Sequence, residues 1–343
     1  MGCQHSKRGS IRACLTADTR PVAPCVLAEL RHFRITSRKG MFRTRSRNTL
    51  QDEPCSSVPA AKVALHSKCG FKRGKFGDAD QMINQDRGLV TYPLAEMNDH
   101  MMIAVFDGHG TYGDCVSERA AVTLVEEYED HLGPDETTQE ALKRAMCATN
   151  SKLRAMCPSM ADKSGTTAVI AVVSSSTITV GCVGDSRCIL GTSQAEKKGW
   201  EAVPLSVEHT PSLREEAARI EASGGDVIQC TGEERIRNGT GCTVAVSRAI
   251  GDWIFSDCGV ICEPDIQTRE LSEDDRCLIL ASDGLWTFVT PQEAVDVCSE
   301  HAASAERACE ALIDIASKKW SEREGDHRDD ITVSVAFLQV LIA

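Results

Sequence analysis

Five aspartates stand where runs of strand-forming residues stop: Asp86, Asp107, Asp185, Asp283 and Asp329. The pattern is plainest at residues 103–110, IAVFDGHG. Four apolar residues without polar alternation suit a strand covered on both faces, so Asp107 emerges where that strand leaves a buried core. Gly108 and Gly110 leave the backbone bare around His109, which lets a main-chain carbonyl approach a metal and gives the imidazole room to reach a ligand. Charge beside the end of a buried strand is costly unless compensated. Several such acids therefore point to convergence on a cation, against the plainer reading that each caps a turn. Carboxylates and carbonyls without a matching His or Cys set favour a hard octahedral ion, Mg²⁺ or Mn²⁺, over zinc. Two such ions about 4 Å apart share a hydroxide and drive an in-line attack on phosphorus.

The elements that must hold these acids follow from local pattern. Ordered structure is expected from residues 61–68, with a basic, glycine-rich stretch to residue 88 and a strand at 89–92. Residues 117–131 are rich in helix formers. Thr137 with Glu140, and Thr290 with Glu293, form capping boxes that start helices running towards Met156 and His301. Residues 166–173 and 177–183, rich in Val, Ile and Thr, predict a strand pair with a tight connection. Thr210 is expected to cap, and Pro211 to open, a helix that ends at Gly224 and Gly225. The polar, glycine-dotted segment 225–246 predicts a mobile lobe. Residues 277–281 form another buried-strand run, 304–320 a further helix and 331–338 a terminal strand.

Charge divides the chain. The net charge of −12 splits into +7 for residues 1–60 and −19 for the remainder. An acidic domain repels nucleic acid and concentrates metal cations, so no nucleic-acid partner is expected. No apolar run approaches the length of a membrane span. The 17 cysteines contain no CxxC pair and read as reduced thiols of a cytoplasmic protein. Residues 1–60 show neither helical nor strand period and read as a basic, mostly disordered arm. Its start, MGCQHS, fits the pattern for N-myristoylation at Gly2, with Cys3 placed for palmitoylation and Lys7, Arg8 and Arg12 following. The expected location is therefore cytoplasmic and peripheral to membranes, with a mitochondrial transit peptide as the rival reading.

The segment from about residue 70 to 338 resembles the metal-dependent serine/threonine protein phosphatases of type 2C. The likeness runs through NQD at 84–86, FDGHG at 106–110, SGTTAV at 164–169, VGDSR at 183–187, EHTP at 208–211, AVSRAIGD at 245–252, LASDGLW at 280–286 and DDITV at 329–333. It implies an α+β fold, a four-layer α-β-β-α sandwich of two mostly antiparallel sheets flanked by helices, over residues 61–343, with a flap at about 208–246. It also implies that Asp107 bridges two metals (Mg²⁺ or Mn²⁺) whose shells are completed by the Gly108 carbonyl, Asp86, Asp283 and Asp329. Asp185 belongs to a looser third site. His109 is then the acid that protonates the leaving serine or threonine oxygen, and the hydroxide between the metals is the nucleophile, so no phospho-enzyme forms.

Two positions depart from the family. Gln81 stands where many members carry a phosphate-binding arginine, which leaves Lys72, Arg73, Lys75 and Arg87 as candidates for that work. Thr287 replaces the second acid of the third metal site. The expectation is a monomeric phosphatase of phosphorylated proteins. A binding-only pseudophosphatase and a phosphatase of small phosphorylated metabolites are the alternatives.

Overall fold

The computed structural model describes residues 62–73, 79–94, 97, 100–133, 135–194, 199–230 and 232–338. Ten strands build the centre: β1 (Lys62–Lys68), β2 (Arg87–Thr91), β3 (Met101–Phe106), β4 (Ala168–Val173), β5 (Thr177–Val183), β6 (Arg187–Ser193), β7 (Trp200–Pro204), β8 (Asp265–Glu270), β9 (Asp275–Ala281) and β10 (Ile331–Phe337). They form two five-stranded sheets, ordered β8-β5-β4-β3-β2 and β1-β10-β9-β6-β7. Every pairing within them is antiparallel.

Each sheet is covered on both faces, which is why its strands lack polar alternation. Ile103, Val105, Val169, Leu190, Leu278 and Leu280 fill the seam between the sheets. The outer face of the first sheet packs on α1 (Gly113–His131) and α2 (Thr138–Met156) through residues such as Phe106, Leu124, Leu142 and Ile170. Among the later helices are α3 (Arg214–Ala222), α4 (Asp283–Trp286), α5 (Pro291–Glu300) and α6 (Ala305–Arg323). Of these, α5 and α6 cover the second sheet through Val295, Leu312 and Trp320. The result is the expected α-β-β-α sandwich. Both predicted capping boxes are made, Thr137 with Glu140 and Thr290 with Glu293.

Two local expectations are corrected, and strands are found in the segment expected as a mobile lobe. The strand expected at 166–173 breaks at Thr167, because that residue is pinned to Asp107: its N–H donates to the Asp107 carbonyl at 2.9 Å, and its Oγ1 accepts from the Asp107 N–H at 3.1 Å. Residues Ser164–Thr166 before the break join a separate small sheet. The helix expected from Thr210 starts later, at Arg214, with Leu213 as its N-cap. The His209 N–H is held by the Gly184 carbonyl at 2.8 Å, and the chain must turn through Thr210–Leu213 before it can wind. Finally, segment 225–246 is built as antiparallel strands Asp226–Cys230, Glu233–Arg237 and Thr243–Val244. With α3 they enclose a small apolar cluster of Ile220, Ile236, Val244, Val246 and Phe255. The basic arm, with Gly2 and Cys3, lies outside the described residues.

Candidate active site

Antiparallel register brings the aspartates together. Arg87 pairs with Phe106, so Asp86 before β2 and Asp107 after β3 share one end of the first sheet. Val105 pairs with Val169 and Ala168 with Val183, which carries the turn at Asp185 to that same end. There the chain crosses to the second sheet, where Arg187 pairs with Ala281 and Ala281 with Val333. Asp283 and Asp329 are thereby placed on the matching edge. Asp86 is buried, while Asp107, Asp185, Asp283 and Asp329 are half-buried.

Their electrostatics are those of like charges held close, which the nearby cations Arg187, His109 and His327 offset only in part. Burial, followed by the neighbouring carboxylates Asp86, Asp283, Asp329 and Asp185, raises the Asp107 pKa well above the carboxylate range. Burial, then Asp185 and Asp329, does the same to Asp283. Burial and Asp330 push Asp86 up to about 7 against the hydrogen bond it receives from Ser282, burial lifts Asp185 to about 6, and burial also raises Asp329. The Ser282 hydroxyl donates to Asp86 Oδ2 at 2.7 Å, whereas Asp86 Oδ1 is buried without a hydrogen-bond partner. Among the described residues no trio of His, Cys, Asp or Glu closes into a ready-made cage. The fit to a hard divalent ion rests instead on that orphaned carboxylate oxygen and on the remaining repulsion, both of which a cation would cure.

The backbone around Asp107 is as crowded as a carbonyl donor requires. A Cβ on Gly108 would lie 2.4 Å from the Gly113 carbonyl oxygen and 2.5 Å from that of Gln85. Asp330, beside Asp329, is committed to the frame: its Oδ1 accepts from the Gly70 N–H at 2.5 Å and its Oδ2 from the Gln85 N–H at 2.6 Å. The two adjacent acids thus divide, one clamping backbone and the other facing its fellow carboxylates.

His109 sits on the small sheet formed by Gly108–Gly110, Ser164–Thr166 and Ile250–Gly251, where His109 opposes Gly165 and Gly165 opposes Gly251. Gly165 carries no side chain, and across it His109 Nε2 hydrogen-bonds Asp252 Oδ2. A Cβ there would meet that carboxylate oxygen at 2.4 Å and His109 Nε2 at 2.8 Å. Asp252 is buried and left-handed at φ 52°, the one such non-glycine residue among those described, a strain of the kind kept at functional sites. Burial alone would lower the His109 pKa; the charge and hydrogen bond of Asp252, with Asp185, outweigh it and raise it. Asp252 was the site residue that sequence reasoning missed. It lies inside AVSRAIGD, with no local feature to reveal that its side chain meets a histidine 143 positions away.

The basic candidates separate. Arg87 is buried and spends its Nη1 on the carbonyls of Asn84 at 2.9 Å and Asp86 at 2.8 Å, so it braces the acid's own turn rather than standing free for phosphate. Lys72 is exposed on the middle strand, Phe71–Arg73, of a small three-stranded sheet. Lys75 and the side chains of Arg73 and Gln81 lie outside the described residues. The Thr287 hydroxyl turns back onto the Asp283 carbonyl at 2.8 Å. Further cations act on the site: Arg187 lowers the pKa of Asp185, and Arg235, on the strand Glu233–Arg237, is near enough for its charge to oppose protonation of His109.

Comparison with known proteins gives the family and the fold. Residues 66–325 match the family model for Protein phosphatase 2C. The chain is 30% identical over 281 residues to Probable protein phosphatase 2C 41 of Arabidopsis thaliana, an alignment covering 75% of this chain and 79% of the relative. It is 33% identical over 298 residues to Probable protein phosphatase 2C 48 of Oryza sativa subsp. japonica, covering 78% and 82%. Its fold superposes on the crystal structure of serine-threonine phosphatase 2C from Toxoplasma gondii with a TM-score of 0.71 at 23% identity, over 83% of this chain and 96% of that one. The end of the sandwich that gathers the aspartates beside His109 is thus carried by a chain that belongs to the protein phosphatase 2C family.

Proposed function

We propose that this chain is a metal-dependent protein serine/threonine phosphatase that hydrolyses phosphoserine and phosphothreonine with His109 as general acid. The observation that carries the reading is the set of only partly compensated aspartates beside a histidine whose proton is secured by Asp252. Asp86, Asp107, Asp283, Asp329 and the Gly108 carbonyl would hold two Mg²⁺ or Mn²⁺ ions, with Asp185 serving a weaker third site that Thr287 leaves short of one charge. Such ions supply Lewis acidity, which activates water and offsets the charge of the phosphate.

The chain's own residues do the rest. Asp252 takes the His109 Nε2 bond, fixes the ring and leaves Nδ1 to face the departing oxygen. It also keeps the imidazole protonated further up the pH scale, as an acid working near neutrality requires. Arg235 is the flap cation suited to the phosphate, in place of the arginine that Gln81 replaces. Retention of the four aspartates of the two-metal site speaks against a pseudophosphatase. His109→Ala should lower kcat by about 10²-fold or more on a phosphothreonine peptide and much less on an activated aryl phosphate, because a good leaving group needs little protonation. Equal losses on both substrates would remove His109 from the acid role.

We also propose that the arm sets location, through acylation at Gly2 and Cys3 and through its basic residues. A single myristoyl chain binds membranes only marginally, so a second signal is needed for residence. Gly2→Ala should release the protein to the soluble fraction with kcat on a peptide unchanged. A membrane-bound Gly2→Ala protein, or a mature chain cleaved within the arm, would make a transit peptide the better reading.

A further inference from the structure

None of the 13 cysteines among the described residues is in a disulfide, yet two are placed as a pair with an opening to solvent. Lys143, Cys147 and Asn150 lie three and four residues apart and form one stripe of α2. Each member of the stripe meets the segment 250–263. Lys143 Nζ pairs with Glu263 Oε1 at 2.5 Å. Cys147 stands one turn beyond Lys143 and Cys262 next to Glu263, so the two thiols are brought together across the seam, where each perturbs the other's proton. Asn150 Oδ1 accepts from the Gly251 N–H at 2.9 Å and from the Trp253 indole N–H at 3.0 Å. Helix and segment are therefore fastened on both sides of the two thiols, which hold their positions whatever their own interaction is worth. Both cysteines are half-buried, within reach of a small oxidant.

We propose that Cys147 and Cys262 are a redox-modification site that closes to a disulfide under a hydroperoxide. In the first step the Cys262 sulfur attacks the peroxide oxygen; the O–O bond breaks, the distal oxygen leaves and takes a proton, and Cys262 becomes a sulfenic acid. In the second, the Cys147 sulfur attacks that of Cys262; the S–O bond breaks, hydroxide departs with the Cys147 proton as water, and the S–S bond forms. Two thiols lose two electrons in all, and the peroxide gains them. Cys262 is the fitting nucleophile: the hydrogen bond from Cys147, with help from Asn150 against the cost of burial, lowers its pKa to about 7, while Cys147 is pushed up and keeps the proton.

The molecule contains its own control. Cys277 on β9 and Cys298 on α5 are also neighbours that perturb each other's proton, but both are fully buried in the core between the second sheet and its helices. Proximity is shared by the two pairs and access is not, so only the first should react. The reactive pair also has a route to the catalytic acid. Asn150, which touches Cys262, holds the residues on either side of Asp252, and Asp252 holds His109. Drawing two sulfurs from contact to a bond of about 2.05 Å pulls α2 and segment 261–262 together, and the Asn150 anchor moves with them. Closure should therefore lower kcat, an effect that rests on the phosphatase reading above; closure itself does not.

The test uses the full chain with all its cysteines. Hydrogen peroxide is added, free thiols are alkylated, and unreduced peptides are mapped by mass. A Cys147–Cys262 linked peptide is expected to form first and to disappear with dithiothreitol and in Cys147→Ser. Cys277 and Cys298 should stay alkylatable after unfolding. Oxidation elsewhere while both thiols remain free, or over-oxidation of Cys262 with Cys147 untouched, overturns the site. In a parallel assay on a phosphopeptide, closure should lower kcat at least about fivefold in the unmodified sequence and not in Cys147→Ser. A bridged protein of full activity overturns the route to His109. Mapping by mass needs no activity, so failure of the redox site and failure of the phosphatase reading are told apart.

Discussion

Two clusters of buried charge in this chain could hardly differ more. At the root of the flap, Glu216 is buried and fully answered: Arg219 reaches its two oxygens at 2.6 Å each, Arg248 Nη2 approaches Oε1 at 2.8 Å and the Ser247 hydroxyl donates at 2.5 Å. Although burial alone would raise its pKa, these partners hold it far below the usual carboxylate range. At the end of the sandwich, the aspartates have one another for company and their pKa values rise. A folded chain tolerates such repulsion only where something outside the chain relieves it. Paired buried charge marks structure here, and unpaired buried charge marks the site.

The contrast is most exposed to failure at Asp107 and Asp283. Asp107→Asn and Asp283→Asn should each reduce turnover by about 10³-fold, the scale of losing a principal electrostatic element, and should raise rather than lower the melting temperature of the metal-free protein at neutral pH. The sign follows from linkage. Carboxylates whose folded pKa is raised bind protons more tightly in the folded chain, so metal-free stability falls as pH climbs from about 4 towards 7. Removing one charge should flatten that slope in thermal melts recorded across pH with a chelator present. Mutants that melt lower would show that the acids stabilise the frame.

Glu216→Ala should give the opposite result. Leaving Arg219 and Arg248 without their buried partner should cost about 3 kcal/mol, read as a lowered denaturant midpoint, since breaking a buried pair strands its charge. Because the folded pKa is depressed, the stabilisation is present above the unfolded value of 4.5 and lost only as pH falls below it, so the deficit should be complete at pH 7. The folded mutant should keep turnover within a few fold of the parent.

Arg235 sits between the two kinds of charge. It has local partners in Glu233 and Thr243, yet its field reaches His109. Arg235→Ala should raise KM for a phosphopeptide about fivefold with a smaller change in kcat, as loss of a charge-assisted contact made in both ground and transition states would. An unchanged KM would assign Arg235 to the flap's own architecture, alongside Arg219 and Arg248.

Much of this was legible in the chain. Asp107 and Asp283 announce themselves because unbroken apolar runs, 103–106 and 277–281, end on them, and burial on both faces is the one condition that suits such runs in a strand. The capping boxes at Thr137 and Thr290 were readable for a similar reason, since all their partners lie within three residues. The break at Thr167 was not, because β propensity is continuous across it and the restraint comes from Asp107, sixty positions earlier. Arg87 looked available for phosphate and proved to brace the turn of Asp86.

By itself, then, the sequence determined which residues could do chemistry and which segments would be strands and helices, because those depend on composition and on neighbours a few positions away. Only the tertiary structure decided that His109 works with Asp252, that Asp330 clamps backbone while Asp329 faces the other acids, and that Cys147 lies against Cys262. Each of these is a meeting of residues far apart in the chain. Antiparallel register and the absence of a side chain at Gly165 bring about the first, and no local propensity encodes such contacts.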